Sequence, residues 1–137
     1  MQFMMILKAN PDYEAGKSPD PRLMAAITER SEQAQRAGKL VISGGLLPSR
    51  SGARIQVSAG QVSVIDGPFA ETKELVGGFA ILEAASREEA IEGAKAYMQM
   101  HADILGPSYE GQMEVRQLMG PAYIGEHCGE EAIVAKK

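Results

Sequence analysis

Residues 3–8, Phe3-Met4-Met5-Ile6-Leu7-Lys8, read as a strand that is apolar on both sides. Side chains alternate across a β-strand, so Phe3, Met5 and Leu7 share one face and Met4, Ile6 and Lys8 the other. Such a strand belongs at the centre of a sheet with a layer over each face. Any fold for this chain must supply those two layers. Lys8 breaks the pattern. Either it marks the strand end, with its ammonium reaching water along an apolar stem, or it stands at the mouth of a pocket.

The remaining chain supplies few layers. Residues 10–21 carry the turn signals Asn10-Pro11-Asp12 and Ser18-Pro19-Asp20-Pro21 and read as a loop. Asp20 can cap a helix with Pro21 in its first position. Leu23, Ile27, Arg30 or Ser31, and Ala34 keep a helical period until Gly38. Residues 40–43 form a short strand followed by Gly44-Gly45. Residues 54–57 and 61–65 alternate around Ala59-Gly60 as a hairpin. Residues 77–84 are a further strand. Ser86 and Glu89 make a capping box for a helix with Ala90, Ile91, Ala94, Tyr97, Met98, His101 and Leu105 along one stripe. Gly106-Pro107 ends it, and residues 113–118 are the last strand.

The order strand, helix, strand with hairpin, strand, helix, strand predicts an α+β fold, a ferredoxin-like βαββαβ arrangement with an inserted β-hairpin. Two helices cover one face of such a sheet. The other face would leave Met4 and Ile6 in water, at about 25 cal/mol per Å² of apolar area. A second copy, sheet against sheet, resolves this as an isologous homodimer. We expect one domain over residues 1–118 and a glycine-punctuated tail over 119–137, docked through Tyr123 and Ile124 and frayed from Glu130.

Composition narrows the function classes. A net charge of −4 argues against a general grip on nucleic acid, and the absence of Trp argues against base-stacking platforms. No apolar run approaches the roughly 20 residues needed to span a membrane. The first residues lack the basic start and cleavage site of a signal peptide. The one cysteine, Cys128, excludes an internal disulfide framework and fits a reducing cytoplasm. His127-Cys128 has no second pair at ligand spacing, so no metal is expected. No phosphate loop, dinucleotide fingerprint or other cofactor motif is present.

The densest polar chemistry follows the hairpin. Its second strand stops at Asp66-Gly67-Pro68, and Glu71, Thr72, Lys73 and Glu74 come directly after. Residues 64–74, Val-Ile-Asp-Gly-Pro-Phe-Ala-Glu-Thr-Lys-Glu, closely resemble the signature of the DGPF branch of the YCII-related proteins. Ala37-Gly38-Lys39-Leu40, Gly44-Gly45-Leu46-Leu47-Pro48-Ser49, Gly77-Gly78-Phe79 and Glu114-Val115-Arg116-Gln117 are similar to further stretches of that family, so the likeness runs over residues 1–118. The resemblance implies a dimeric α/β-barrel built on a ferredoxin-like fold. It also implies a link to sigma factors of the extracytoplasmic-function type. Some YCII-related proteins are thought to use a His-Asp pair whose histidine sits near the first helix. Residues 1–47 hold no histidine here, so that pair is not carried over.

The candidate residues follow from chemistry. Asp66 is a catalytic carboxylate, as base or acceptor, or an Asx-turn acceptor that fixes the loop. His101 is a proton carrier or a packed core histidine. Glu71 and Lys73 are a ligand-binding pair or solvated loop charges. Lys8 and Arg116 complete the ligand-binding candidates, with Arg54 as a further anion contact. The expected function is binding of a small polar molecule in a dimer-barrel pocket, with acid–base turnover. The alternative is a non-enzymatic regulatory module that engages a partner such as a sigma factor.

Overall fold

The computed structural model describes residues 1–70 and 72–120. Glu71, and the tail positions Tyr123, Ile124, His127, Cys128 and Glu130 onward, lie outside the described residues. In chain order the elements are β1 (Gln2–Lys8), α1 (Pro11–Glu14), α2 (Pro21–Arg36), β2 (Leu40–Gly45), β3 (Ala53–Ser58), β4 (Gln61–Asp66), β5 (Val76–Glu83), α3 (Arg87–Leu105) and β6 (Met113–Gln117).

β1 is central, as its two apolar faces require. It pairs antiparallel with β5 and with β6, and β5 pairs antiparallel with β2. The sheet order is β2-β5-β1-β6, and β3-β4 form a separate two-stranded sheet. With the hairpin set aside, this is the ferredoxin-like α+β topology.

Local chemistry sets the helix ends. The Asp20 carboxylate accepts from the Arg22 amide at 2.8 Å, and Pro21 opens α2. Gly38, at φ 72°, lets the chain leave it. The Ser86 hydroxyl accepts from the Glu89 amide at 3.1 Å, and the Glu89 carboxylate accepts from the Ala85 amide at 2.5 Å. That reciprocal pair starts α3, and it holds Glu89 below the usual carboxylate range, with Lys39 assisting. The segment expected to be loop over residues 10–21 contains α1. Asn10 caps it through the Tyr13 amide and Pro11 begins it. A single turn has no apolar period to reveal it, and its cap and proline are also turn residues.

Phe3 and Met5 are buried against Ala90 and Ala94 of α3, with Leu82, Met113 and Val115 around them. From α2 only Leu23 is buried. The other face carries Met4, Ile6, Phe79 and Ile81, all half-buried. Its register sets Met4 beside Ile81, Ile6 beside Phe79 and Ile42 beside Ile81. Gly44 lies opposite Phe79, where an added Cβ would stand 3.4 Å from the ring. The hairpin turns through Ala59 at φ 51° and Gly60 at φ 76°, as a two-residue turn between twisted strands requires. Val57 faces Val62 and Ile55 faces Val64, and these four side chains are 63–69% exposed.

Candidate functional site

The helical face of the sheet is not filled. Where a core would place branched side chains, β2 offers Ser43 and Gly45, β5 offers Gly78 and Ala80, α3 offers Ala90, Gly93 and Ala94, and α2 offers Ser31 and Ala34. The deleted volume leaves a cleft of about 1170 Å³ between α2, α3 and the sheet. The cleft opens to solvent past exposed residues such as Asp12 and Lys17, so water fills it and a ligand can displace that water. It lies within one chain, a different place from the barrel interior between two facing sheets that the sequence led us to expect.

The deep wall is aromatic and titratable. His101 is 3% exposed and lines the cleft. Its Nδ1 is 2.9 Å from the Tyr97 carbonyl oxygen, one helical turn back. A carbonyl only accepts, so Nδ1 carries a proton, and Nε2 is the ring nitrogen not used by that bond. The ring centroids of Tyr97 and Tyr109 are 4.7 and 5.7 Å from that of His101. Burial pushes the Tyr97 phenol above its usual range, Tyr109 adds to the rise, and the charge of Arg30 opposes it. Burial also pushes Tyr109 up. Both phenols therefore remain hydrogen-bond donors at neutral pH.

The mouth is formed by α1 and the loop after it. The Tyr13 hydroxyl donates to the Leu46 carbonyl. The Glu14 carboxylate accepts from the Ser49 amide at 2.6 Å and the Ser49 hydroxyl at 2.7 Å. The Ser49 hydroxyl in turn accepts from the Phe69 amide at 3.0 Å, and the Gly67 amide donates to the Gly52 carbonyl at 3.0 Å. The Arg54 guanidinium stacks 4.0 Å over the Phe69 ring. Through this chain of contacts the Asp-Gly-Pro-Phe turn braces the loop that carries the cleft mouth.

The predicted residues divide. His101 and Lys8 line the cleft, with Lys8 near the rim and its Nζ 4.0 Å from a Glu74 carboxylate oxygen. Asp66 ends β4 and is exposed, and its carboxylate has no hydrogen bond or ion pair among the described residues. Lys73 is exposed in the short turn Thr72–Glu74. Arg116 is exposed on β6, in register with Met4 on the bare face. None of these three lines the cleft. Tyr97, Tyr109, Tyr13 and Arg30 line it without having been singled out. Arg30 left a trace in the sequence, since it falls in the apolar stripe of α2 where a leucine would be expected.

A family model described as "YCII-related domain" matches residues 1–106. An uncharacterized protein, R00369, of Rhizobium meliloti (strain 1021) is 39% identical over 79 residues, 58% of this chain and 64% of that protein. The match thus covers less than two thirds of that relative's length. With most of its length inside the family match, and the fold to go with it, the chain belongs to the YCII-related family.

Proposed function

We propose that the chain binds a small polar molecule in the interlayer cleft and that His101 moves a proton to or from it. One observation carries the reading. A solvent-open cleft is lined by a buried histidine whose Nδ1 is already committed to the Tyr97 carbonyl. Nε2 then takes a proton from a bound ligand, while the protonated phenols of Tyr97 and Tyr109 donate to the oxygen on which charge develops. The protein acts as a homodimer, two copies closing the faces that carry Met4, Ile6, Phe79 and Ile81.

The test is a thermal-shift screen of a metabolite library on wild type, His101→Phe and Asp66→Ala. Ligands that raise the wild-type melting temperature by mass action should act equally on Asp66→Ala and less on His101→Phe. Proton NMR of the hits in D₂O should show exchange or conversion that the histidine variant lacks. A wild type with no hits refutes the binding reading. Conversion undiminished in His101→Phe removes the role of the histidine.

A second reading, a non-enzymatic module that binds a protein partner, has one feature in its favour. Ile55, Val57, Val62 and Val64 form an exposed apolar strip on the hairpin. Hydrogen exchange on the wild-type oligomer separates the two. Fast exchange throughout the hairpin leaves the strip open for a partner, and protection assigns it to the second copy.

A further inference from the structure

We propose that the cleft is shaped for a small aromatic monocarboxylate, anchored by a forked bond from the Arg30 guanidinium and a bond from the Tyr97 hydroxyl, with its ring against Tyr97, His101 and Tyr109. This rests on the cleft being the binding site and names what it takes. The cations along the cleft are Lys8, Lys17, Lys39 and Arg30. Lys8 has Glu74, Lys17 has Asp12 at 3.2 Å and Lys39 has Glu89 at 3.3 Å. Among the described residues Arg30 has no hydrogen bond or ion pair. It is nevertheless half-buried on the inward stripe of α2, with Ile27 and Ala34 as neighbours on that stripe. A guanidinium on an apolar wall without a counter-charge is poorly placed until an anion arrives.

The Tyr97 hydroxyl is in the same position, with no hydrogen-bond partner among the described residues. It is near enough to Arg30 to feel its charge. Two donors without partners among the described residues thus line the same cleft. The carboxylates that share the cleft argue for a single negative charge on the ligand. Asp20 is bound by Arg22 at 2.8 Å, Asp12 and Glu89 by their lysines, Glu92 by Lys95 at 3.2 Å and Glu83 by the N-terminal ammonium at 3.7 Å, while Glu110 stands exposed where the chain approaches β6. One unpaired cation among these acids suits a monoanion and disfavours a phosphate dianion. Planarity follows from the donor, because the guanidinium fork matches a carboxylate in its own plane. The body of the ligand would meet Met5, Leu7, Leu23, Ile27 and Leu105 along with the aromatic rings.

The experiment is a calorimetric and NMR titration with sodium benzoate, its neutral isostere benzamide, and inorganic phosphate. Wild type, Arg30→Met, Arg30→Lys and Tyr97→Phe are compared, each first shown to melt cooperatively. Methionine and lysine both favour a helix, so α2 should persist. We expect benzoate to bind wild type at least about tenfold more tightly than benzamide, with shifts on Tyr97, His101 and Tyr109. Arg30→Met should erase that preference, Arg30→Lys should recover only part of it, and Tyr97→Phe should weaken benzoate several-fold. If benzoate and benzamide bind the cleft equally and Arg30→Met changes neither, the anchor is overturned while the cleft reading stands. If phosphate binds as tightly as benzoate with the same dependence on Arg30, the carboxylate class is wrong. If neither aromatic probe shifts any cleft residue, the inference falls together with the reading beneath it.

Discussion

Gly67→Ala puts a methyl group where backbone already stands. A Cβ built on Gly67 would lie 1.8 Å from the Ser49 carbonyl oxygen, 2.6 Å from its carbon and 3.3 Å from the Arg50 Cα. Gly67 has no left-handed φ, so the effect is one of space alone. The obstacle is backbone, and no side-chain rotation relieves it. Residues 49–50 must retreat by more than about 1 Å to restore van der Waals contact. Overpacking of this kind costs about 1–3 kcal/mol. The same retreat pulls apart the Gly67–Gly52 and Phe69–Ser49 hydrogen bonds, at about 1 kcal/mol each. Alanine returns about 0.4–1 kcal/mol by restricting the unfolded chain. The net expectation is a loss of about 2–4 kcal/mol, or roughly 8–15 °C in melting temperature for a domain of this size. Urea unfolding of three variants makes the measurement. Gly93→Ala, where an added Cβ meets nothing within 4 Å on α3, should gain up to about 1 kcal/mol by helix propensity. Asp66→Ala, exposed and without a described partner, should stay within about 0.5 kcal/mol of wild type. A Gly67→Ala midpoint that matches wild type would refute the claim that the signature works as a brace. A large loss from Asp66→Ala would show that its carboxylate holds the turn instead.

Further outcomes follow from other contacts. Glu14 is held below its usual value first by the Ser49 hydroxyl and then by the Ser49 amide. A lowered folded-state value stabilises in full above the unfolded value and is lost as pH falls through the folded one. Melting curves of wild type and Glu14→Gln should therefore differ at pH 7 and converge as pH drops below about 4.5, and a gap independent of pH would contradict the assignment. Ala59 sits at φ 51° in the hairpin turn, so Ala59→Asn should stabilise by up to about 1 kcal/mol, read as slower amide exchange along β3 and β4. Ile6→Glu places a charge on the bare sheet face beside Phe79 and Glu114. Light scattering should find wild type dimeric and Ile6→Glu monomeric, and a monomeric wild type would refute the sheet-to-sheet assembly.

The sheet was legible because strand residues declare both their faces. The doubly apolar run of β1 put it in the centre, and β5 and β6 flank it as the element order required. Both long helices were legible at their ends, where Asp20 with Pro21 and Ser86 with Glu89 supply specific backbone bonds. α1 was not, since four residues carry a cap but no stripe. The signature was legible as important, more through its charges than through its backbone. Asp66 and Lys73 drew attention by charge, whereas the structure ties the turn down through Gly67 and the Phe69 amide, which carry no charge.

The cleft was illegible for a deeper reason. A void is made of missing atoms, and no single missing atom looks unusual. Gly78, Ala80, Ser43, Ala94 and Ser31 are each ordinary in their own strand or helix. Only the topology brings them to opposite walls of one space. The same holds for the groups inside it. Arg30, Tyr97 and Tyr109 are scattered over 80 residues of sequence with no motif between them. Arg30 alone broke a local rule, a cation on the inward stripe of α2, and such a breach is where packing has been given up for chemistry. Replacing several of the small wall residues at once with valine or leucine should therefore stabilise the fold while abolishing ligand binding, because filling the void restores the core that the sequence withholds. If filling the wall left both stability and binding unchanged, the void would have no part in either.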